Sequence, residues 1–424
     1  MAVIDVVTAE GGEPPTPFDP DRLASFRVPT QASRLQRAES MILPQEIVDE
    51  VIDNLAFDFS TLQSTSLVQK SWTHRSRRRL FYFVPINSLS LLEKWSRCIS
   101  PDPNGIASYP RSILLSLNGT PKSWLEPENL DRFHGHFCSF SGVERLVIAG
   151  LETAKFDAFS TPRYFGNFAA TVRSLELRTP IGPPASLLSF ISSFPLVDDL
   201  GIEYPSTVTA GGVSQEEFIQ PVAAPSFTGK LRLLDILRES YLFVELLCTL
   251  PLSFDTISVS SRDWEGLPQL AKLTSKCGRT LRTLHITRKT RAILLGPTGA
   301  SLSSCVALEE LRVTVIYPSQ LVTVLRDVLL TLPNTTNLSR IVLDADGQYP
   351  DEEDVDMMTW GSLDVIMSEY AEKIHGKHRN RRLTLQFRTD EEGATGEHDG
   401  WARRFVGLLV FFPKVGNVEY ISKH

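Results

Sequence analysis

The sequence is poor in the residues and patterns from which chemistry is usually read. Its 424 residues include five cysteines and eight histidines. Cys98, Cys138, Cys248, Cys277 and Cys305 are widely spaced, odd in number and form no CxxC pair. That excludes a disulfide-stapled scaffold and predicts reduced, mostly buried thiols of an intracellular chain. A basic excess is missing too. The formal net charge of −7 argues against a nucleic-acid partner held by phosphate contacts. No apolar run reaches the ~18 residues of a membrane span; the nearest is Val406–Phe412. The first residues, MAVIDVVTAEGGEPPTPFDP, contain no basic stretch followed by an apolar one, so no signal peptide is read. The expectation is a soluble chain, cytoplasmic and/or nuclear, with no membrane or nucleic-acid partner.

Catalytic signatures are absent as well. There is no GxSxG, GxxxxGK[ST] or HExxH, and no GxGxxG after a strand. The expectation is therefore no catalytic residues, no cofactor and no metal: not an enzyme. His134, His136 and Cys138 lie in HGHFC, but alternate spacing does not put three ligands on one helix face, and no second cluster completes a tetrahedral site. Asp344, Asp346 and Gly347 lack the further acidic positions of a calcium loop. The stretch DADGQYPDEEDVD reads instead as a solvated acidic insertion.

What is there falls into three parts. Residues 1–38 mix seven glycines and prolines with scattered charge and read as a disordered leader. Residues 41–81 are punctuated like three short helices. Pro44 suits a first helical turn. Ile47, Val48, Val51, Ile52 and Leu55 recur at helical spacing and predict one apolar stripe. Ser60 with Gln63 has capping-box spacing and predicts the start of a second helix. Lys70–Leu80 predicts a third, with Trp72 on its apolar face and Arg75, Arg77, Arg78 and Arg79 solvated. Three such helices enclose too little core to stand alone, so one face is expected to pack on something else.

The order Leu43-Pro44-x-Glu46-Ile47, then Ile52-x-x-Leu55, then Ser66-Leu67-Val68-x-Lys70-Ser71-Trp72 resembles an F-box, with Gln69 where the family has cysteine. The run from Arg75 to Val84 resembles the F-box proteins of mushroom-forming fungi. The resemblance covers roughly 40 residues. It implies docking to a Skp-type adaptor, and through it to a cullin–RING core. The residues it implicates are Leu43, Pro44, Ile47, Val48, Val51, Ile52, Leu55, Leu67, Val68 and Trp72.

From Val143 onward a phrase of apolar, two residues, apolar, one residue, apolar recurs. It is seen at Val143/Leu146/Ile148, Val172/Leu175/Leu177, Val197/Leu200/Ile202 and Leu231/Leu234/Ile236. It continues at Phe254/Ile257/Val259, Leu281/Leu284/Ile286, Leu308/Leu311/Val313 and Leu338/Ile341/Leu343, with weaker copies near Leu383 and Val415. Helix-like stretches lie between several phrases. A strand plus a helix at such a period is the pattern of leucine-rich repeats, here irregular. The predicted fold class is α/β, with an all-α N-terminal module followed by a leucine-rich-repeat-like solenoid. The predicted domains are a leader at 1–38, an F-box at 41–81 and a recognition domain at 82–424. The function implied is substrate receptor of an SCF-type ubiquitin ligase for an unknown target protein. A non-ligase interaction scaffold and an unrecognised α/β enzyme are the alternatives.

Overall fold

The structure is a computed structural model and describes residues 44–55, 58–99, 106–117, 136–137, 140–151, 164–165, 167, 169–203, 227–236, 241–261, 267–288, 302–315, 318–333, 337–345, 357–377, 382–389, 409 and 411–422. The leader, His134, Cys138, most of the Pro205–Thr228 insertion and residues 346–356 lie outside them. The chain divides into two compact units, Met1–Val48 and Asp49–His424. In the first, the Pro44 carbonyl accepts from the amides of Ile47 (3.1 Å) and Val48 (3.2 Å) and opens helix α1 (Gln45–Asn54).

In the second unit, helix α2 spans Phe59–Val68 and helix α3 spans Lys70–Leu80. The cap of α2 is not the expected Ser60. It is Asp58, whose carboxylate accepts from the Thr61 amide at 3.0 Å and from the hydroxyls of Ser60 (2.8 Å) and Thr61 (2.6 Å). A carboxylate at the N-cap reaches the third helical amide directly, which leaves Ser60 in the first turn. A single extended residue, Gln69, separates α2 from α3. Thr73 Oγ1 then donates to the Ser66 carbonyl at 2.9 Å, and Thr65 and Ser76 share a hydroxyl bond at 3.1 Å with Ser76 fully buried.

The rest is built on one sheet of twelve strands, all parallel and each bonded to its neighbours in sequence order. They are β1 (Phe83–Ile86), β2 (Ser112–Ser116), β3 (Arg145–Ala149), β4 (Ser174–Arg178), β5 (Asp199–Glu203) and β6 (Phe227–Ile236). After them come β7 (Leu252–Ser261), β8 (Thr283–Arg288), β9 (Glu310–Val315), β10 (Arg340–Ala345), β11 (Thr384–Thr389) and β12 (Asn417–Ser422). The sheet is open, and Pro85, which cannot donate to a ladder, sits on edge strand β1.

Two positions per strand align across all twelve. One column runs through positions 84, 113, 146, 175, 200, 231, 257, 284, 311, 341, 385 and 418, and the other lies two residues further along each strand. Ten of the eleven steps along the first column are 25–33 residues, and the step from 341 to 385 is 44. The first column is buried from Val84 to Leu385 and the second from Ile86 to Phe387. The weaker copy near Leu383 falls on Leu385 and Phe387, and the eight expected phrases from Val143 to Leu343 fall on these columns with one correction. In β6 the columns take Leu231 and Leu233, not Leu231 as the first position of a phrase through Leu234 and Ile236. Register shifts at Gly229/Lys230 and Leu233/Ile236 explain why the sequence misleads there.

Helices fill the apolar side of the sheet: α4 (Leu89–Ile99), α5 (Pro184–Ser192), α6 (Tyr241–Leu247), α7 (Leu267–Cys277), α8 (Pro318–Thr331) and α9 (Met357–Lys377). Leu92, Phe190, Leu247, Leu273, Leu325 and Met367 from these helices share one core with the columns. Phe137, the described neighbour of His136 in HGHFC, joins Phe140, Phe165, Phe190 and Phe194 in a run of ring contacts at 5.4–6.2 Å. Buried Asp364 accepts from the amides of Phe411 and Phe412, both at 2.9 Å, and so caps the helical turn Phe412–Val415 that leads into β12. No described helix is long and apolar enough to cross a membrane.

Gly229 lies at the first register shift of β6 with φ +84°, and a Cβ there would stand 2.2 Å from the Asp198 carbonyl oxygen. Both the backbone region and the contact exclude a side chain. Gly229→Ala is expected to lower unfolding stability by about 2–3 kcal/mol, read as a reduced urea midpoint at unchanged slope.

Candidate functional site

The sequence-expected docking residues divide by burial rather than forming one stripe. Val48 and Ile52 are buried at 6% and 1% exposure, and Leu55 and Trp72 are half-buried. Val51, next to Ile52 on α1, is exposed, as is Pro44; Leu43 lies outside the described residues. Ile47, in the first unit, is exposed at 45%. On α2, Leu67 and Val68 are exposed at 78% and 66%, and Phe59 at the opposite end of that helix is half exposed. Successive helical residues point about 100° apart, so a stripe this wide has one edge in the core and one in solvent.

The arginines of α3 are not uniformly solvated. Arg75 and Arg79 both grip Asp53 of α1: Arg75 Nε and Arg79 Nε each donate to its carboxylate at 2.8 Å, and Arg75 Nη2 closes a second bond. The hydrogen bonds from Arg79 and Arg75 hold the Asp53 carboxyl well below the usual carboxylate range. Arg78 alone of the four is exposed, and Arg77 is half-buried.

A second site, which the sequence does not announce, lies on the sheet face opposite the apolar columns. Glu176 of β4 is 3% exposed there. Arg178 Nε donates to its Oε1 at 2.7 Å, and Arg145 Nη2 from β3 donates to Oε2 at 2.9 Å. Arg232 of β6 reaches Oε2 at 3.5 Å from two strands away and holds Asp199 of β5 with Nε (2.9 Å) and Nη2 (3.2 Å). The strand between them carries Gly201, where a Cβ would lie 3.2 Å from both Arg232 Nη2 and Glu176 Cγ. Glycine leaves the space through which the guanidinium crosses. Burial pushes the Glu176 carboxyl up, but the Arg178 and Arg145 hydrogen bonds, with the charges of Arg178 and Arg232, outweigh it and hold it below the ordinary value.

Further along the same face, His285 of β8 has Nδ1 3.3 Å from Ser258 Oγ, with Nε2 3.0 Å from Thr314 Oγ1 and 3.2 Å from Thr287 Oγ1. Glu310 of β9 then lies between Arg312 and Arg340, each at 3.1 Å. The thiols lie elsewhere. Cys277 and Cys305 are buried and Cys248 half-buried, whereas Cys98 is exposed. Burial pushes Cys248 up to about 11 and Cys305 up to about 12, so these side chains are packing groups rather than nucleophiles. Among the described residues no group of three or more His, Cys, Asp or Glu could hold a metal ion.

Comparison of the chain with protein-family models finds no match, and comparison with curated proteins finds none either.

Two ion-pair clusters carry measurable consequences. Because the Asp53 carboxyl is held below its unfolded value near 3.9, its contribution is complete above about pH 5 and fades as the pH falls through the acid range. Asp53→Asn is expected to cost about 1 kcal/mol at pH 7, with the melting curves of variant and parent drawing together progressively as the pH falls below the unfolded value near 3.9. Glu176→Gln leaves three guanidiniums around an uncharged amide and is expected to cost about 3 kcal/mol at pH 7, measured by urea unfolding.

Proposed function

We propose that the chain is an F-box substrate receptor of an SCF-type cullin–RING ubiquitin ligase. Residues 41–81 dock a Skp-type adaptor, and the strand-and-helix region, a leucine-rich-repeat-like solenoid, holds a target protein. The observation that carries the reading is the exposure of Leu67 and Val68, two adjacent aliphatic side chains that α2 leaves in water within the Ser66-Leu67-Val68-x-Lys70-Ser71-Trp72 motif. A fold that merely needed α2 for its core had no use for them there, whereas a docking surface does. Phe59 and Val51 extend the exposed apolar material on the same module.

The sheet supports the second half of the reading. Sequence-ordered parallel strands, one apolar register and a step of 25–33 residues are what stacked strand–helix repeats produce. Such a chain does no chemistry of its own. It raises the effective concentration of target lysines beside a ubiquitin-charged enzyme. An adaptor interface of ordinary size buries about 1,600 Å² in total, most of it on apolar anchors.

Ile52, at 1% exposure, is a core residue and a poor probe of docking. Leu67→Glu with Val68→Glu changes only exposed positions. The full chain is expected to capture a purified Skp-type adaptor stoichiometrically, and the double variant to lose capture at an unchanged melting temperature. No capture by the parent, or full capture by the double variant, overturns the reading.

A further inference from the structure

The polar face of the sheet repeats one arrangement at two places: a carboxylate held low, with guanidiniums standing above it. In the first, the side chain of Glu176 is 4% exposed while those of Arg178 and Arg145 are 44% and 38% exposed. In the second, Glu310 is 17% exposed while Arg340 is 51% exposed and Arg312 29%. What solvent meets at both places is therefore N–H donors and positive charge, although carboxylates lie within each cluster. Each guanidinium has five N–H donors in a planar fork that suits a carboxylate. The Nε of Arg145 and of Arg312 are buried and make no hydrogen bond among the described residues.

The bonded groups also share a charge. Arg145, Arg178 and Arg232 against Glu176 and Asp199 leave one net positive; Arg312 and Arg340 against Glu310 leave one net positive. One carboxylate neutralises each. A dianionic phosphate adds an uncompensated negative charge beside Glu176 or Glu310, so the balance favours carboxylates. Between the clusters, Ser258, His285, Thr287 and Thr314 form a lane of hydroxyl and imidazole groups that can meet a peptide backbone. Arg178 on β4 and Arg340 on β10, the most exposed guanidinium of each cluster, are six strand intervals apart, roughly 29 Å. An extended chain covers that distance in about nine residues.

We infer that this face seats an extended acidic segment of a partner protein, lying across β4–β10 with two carboxylates about nine residues apart, one at each arginine cluster. That the partner is the target to be ubiquitinated rests on the receptor reading; the binding itself does not.

The test is fluorescence anisotropy on the full chain without adaptor. The probe is a labelled peptide of about fourteen residues of Ser, Thr and Ala with two glutamates about nine residues apart. Saturable binding is expected, weakened by salt, and about tenfold weaker for the peptide with glutamine in place of either glutamate. Placing the glutamates side by side should cost a similar factor. Arg340→Gln and Arg178→Gln should each weaken binding about tenfold, while Lys272→Gln on α7 should not change it. Among the described residues the Arg340 side chain bonds Glu310 alone, and it is half exposed, so its variant tests the idea even if Arg178→Gln unfolds. No binding, equal binding of the glutamine peptides, unchanged binding by folded Arg340→Gln, or binding only when phosphoserine replaces glutamate each overturns the inference. Adaptor capture is scored separately. Peptide binding without adaptor capture removes the receptor reading and keeps the acidic-segment site; the reverse result does the opposite.

Discussion

The rest of the molecule depends on keeping two apolar columns in register across twelve parallel strands. A fully buried Leu, Ile or Val contributes about 1.5–3 kcal/mol relative to exposure, but only if its neighbours on both sides bury it. Since each strand pairs only with the strands next to it in sequence, a slip of one residue at any strand turns its apolar set to the wrong face. Strand β6 illustrates how the constraint is met. Two register shifts absorb unequal residues, an extra Asp255 in β7 opposite Gly229 with φ +84° and an extra residue in β6 beside Asp235 with φ +51°. Leu231 and Leu233 thereby stay in the columns. Backbone strain is accepted at the ends of the strand so that the register in its middle is kept.

Register on one face determines what assembles on the other. Because strand side chains alternate, Arg145, Glu176, Gly201 and Arg232 come to lie together although the outer two are 87 positions apart in the chain. Burying Glu176 costs desolvation, and a lone guanidinium on a surface offsets little of that. Three guanidiniums, one of them passing over a glycine, do offset it, and in return Glu176 holds their forks in one orientation. The cluster is a preorganised display of donors rather than a strong contributor to stability.

This explains which parts of the molecule were legible beforehand. The columns were, because a two-residue alternation of Leu, Ile and Val survives in the one-dimensional string, as at Leu175/Leu177 and Leu284/Ile286. The helices between them were, since Leu267–Cys277 carries its own apolar spacing. Strand β6 was misread because a bulge after Leu233 adds a residue that only cross-strand pairing reveals. Asp58 was overlooked as a cap because a nearer serine has the expected spacing. The polar face was invisible for a deeper reason: its members are single Arg, Glu and Gly residues, each unremarkable in its own segment, and only the pairing of β3 through β6 makes them neighbours. In α1 and α2 the apolar spacing was legible, but not which edge of the stripe faces the core. Val48 and Val51 are the same residue type on one helix, and burial separates them.

The two surfaces are made of different material, and that difference bears on how a receptor of the proposed kind works. Leu67 and Val68 offer apolar area, which contributes affinity with little discrimination among partners of similar shape. The arginine clusters offer little net affinity, since each donor leaves water to reach its partner, but a misplaced or missing carboxylate leaves a desolvated guanidinium unmatched. In a receptor of the proposed kind, discrimination therefore belongs to the face whose geometry is held by twelve strands in register, and adhesion to a short helical module that needs only to keep two side chains in water. In the proposed receptor a particular target makes the first demand and a shared adaptor the second.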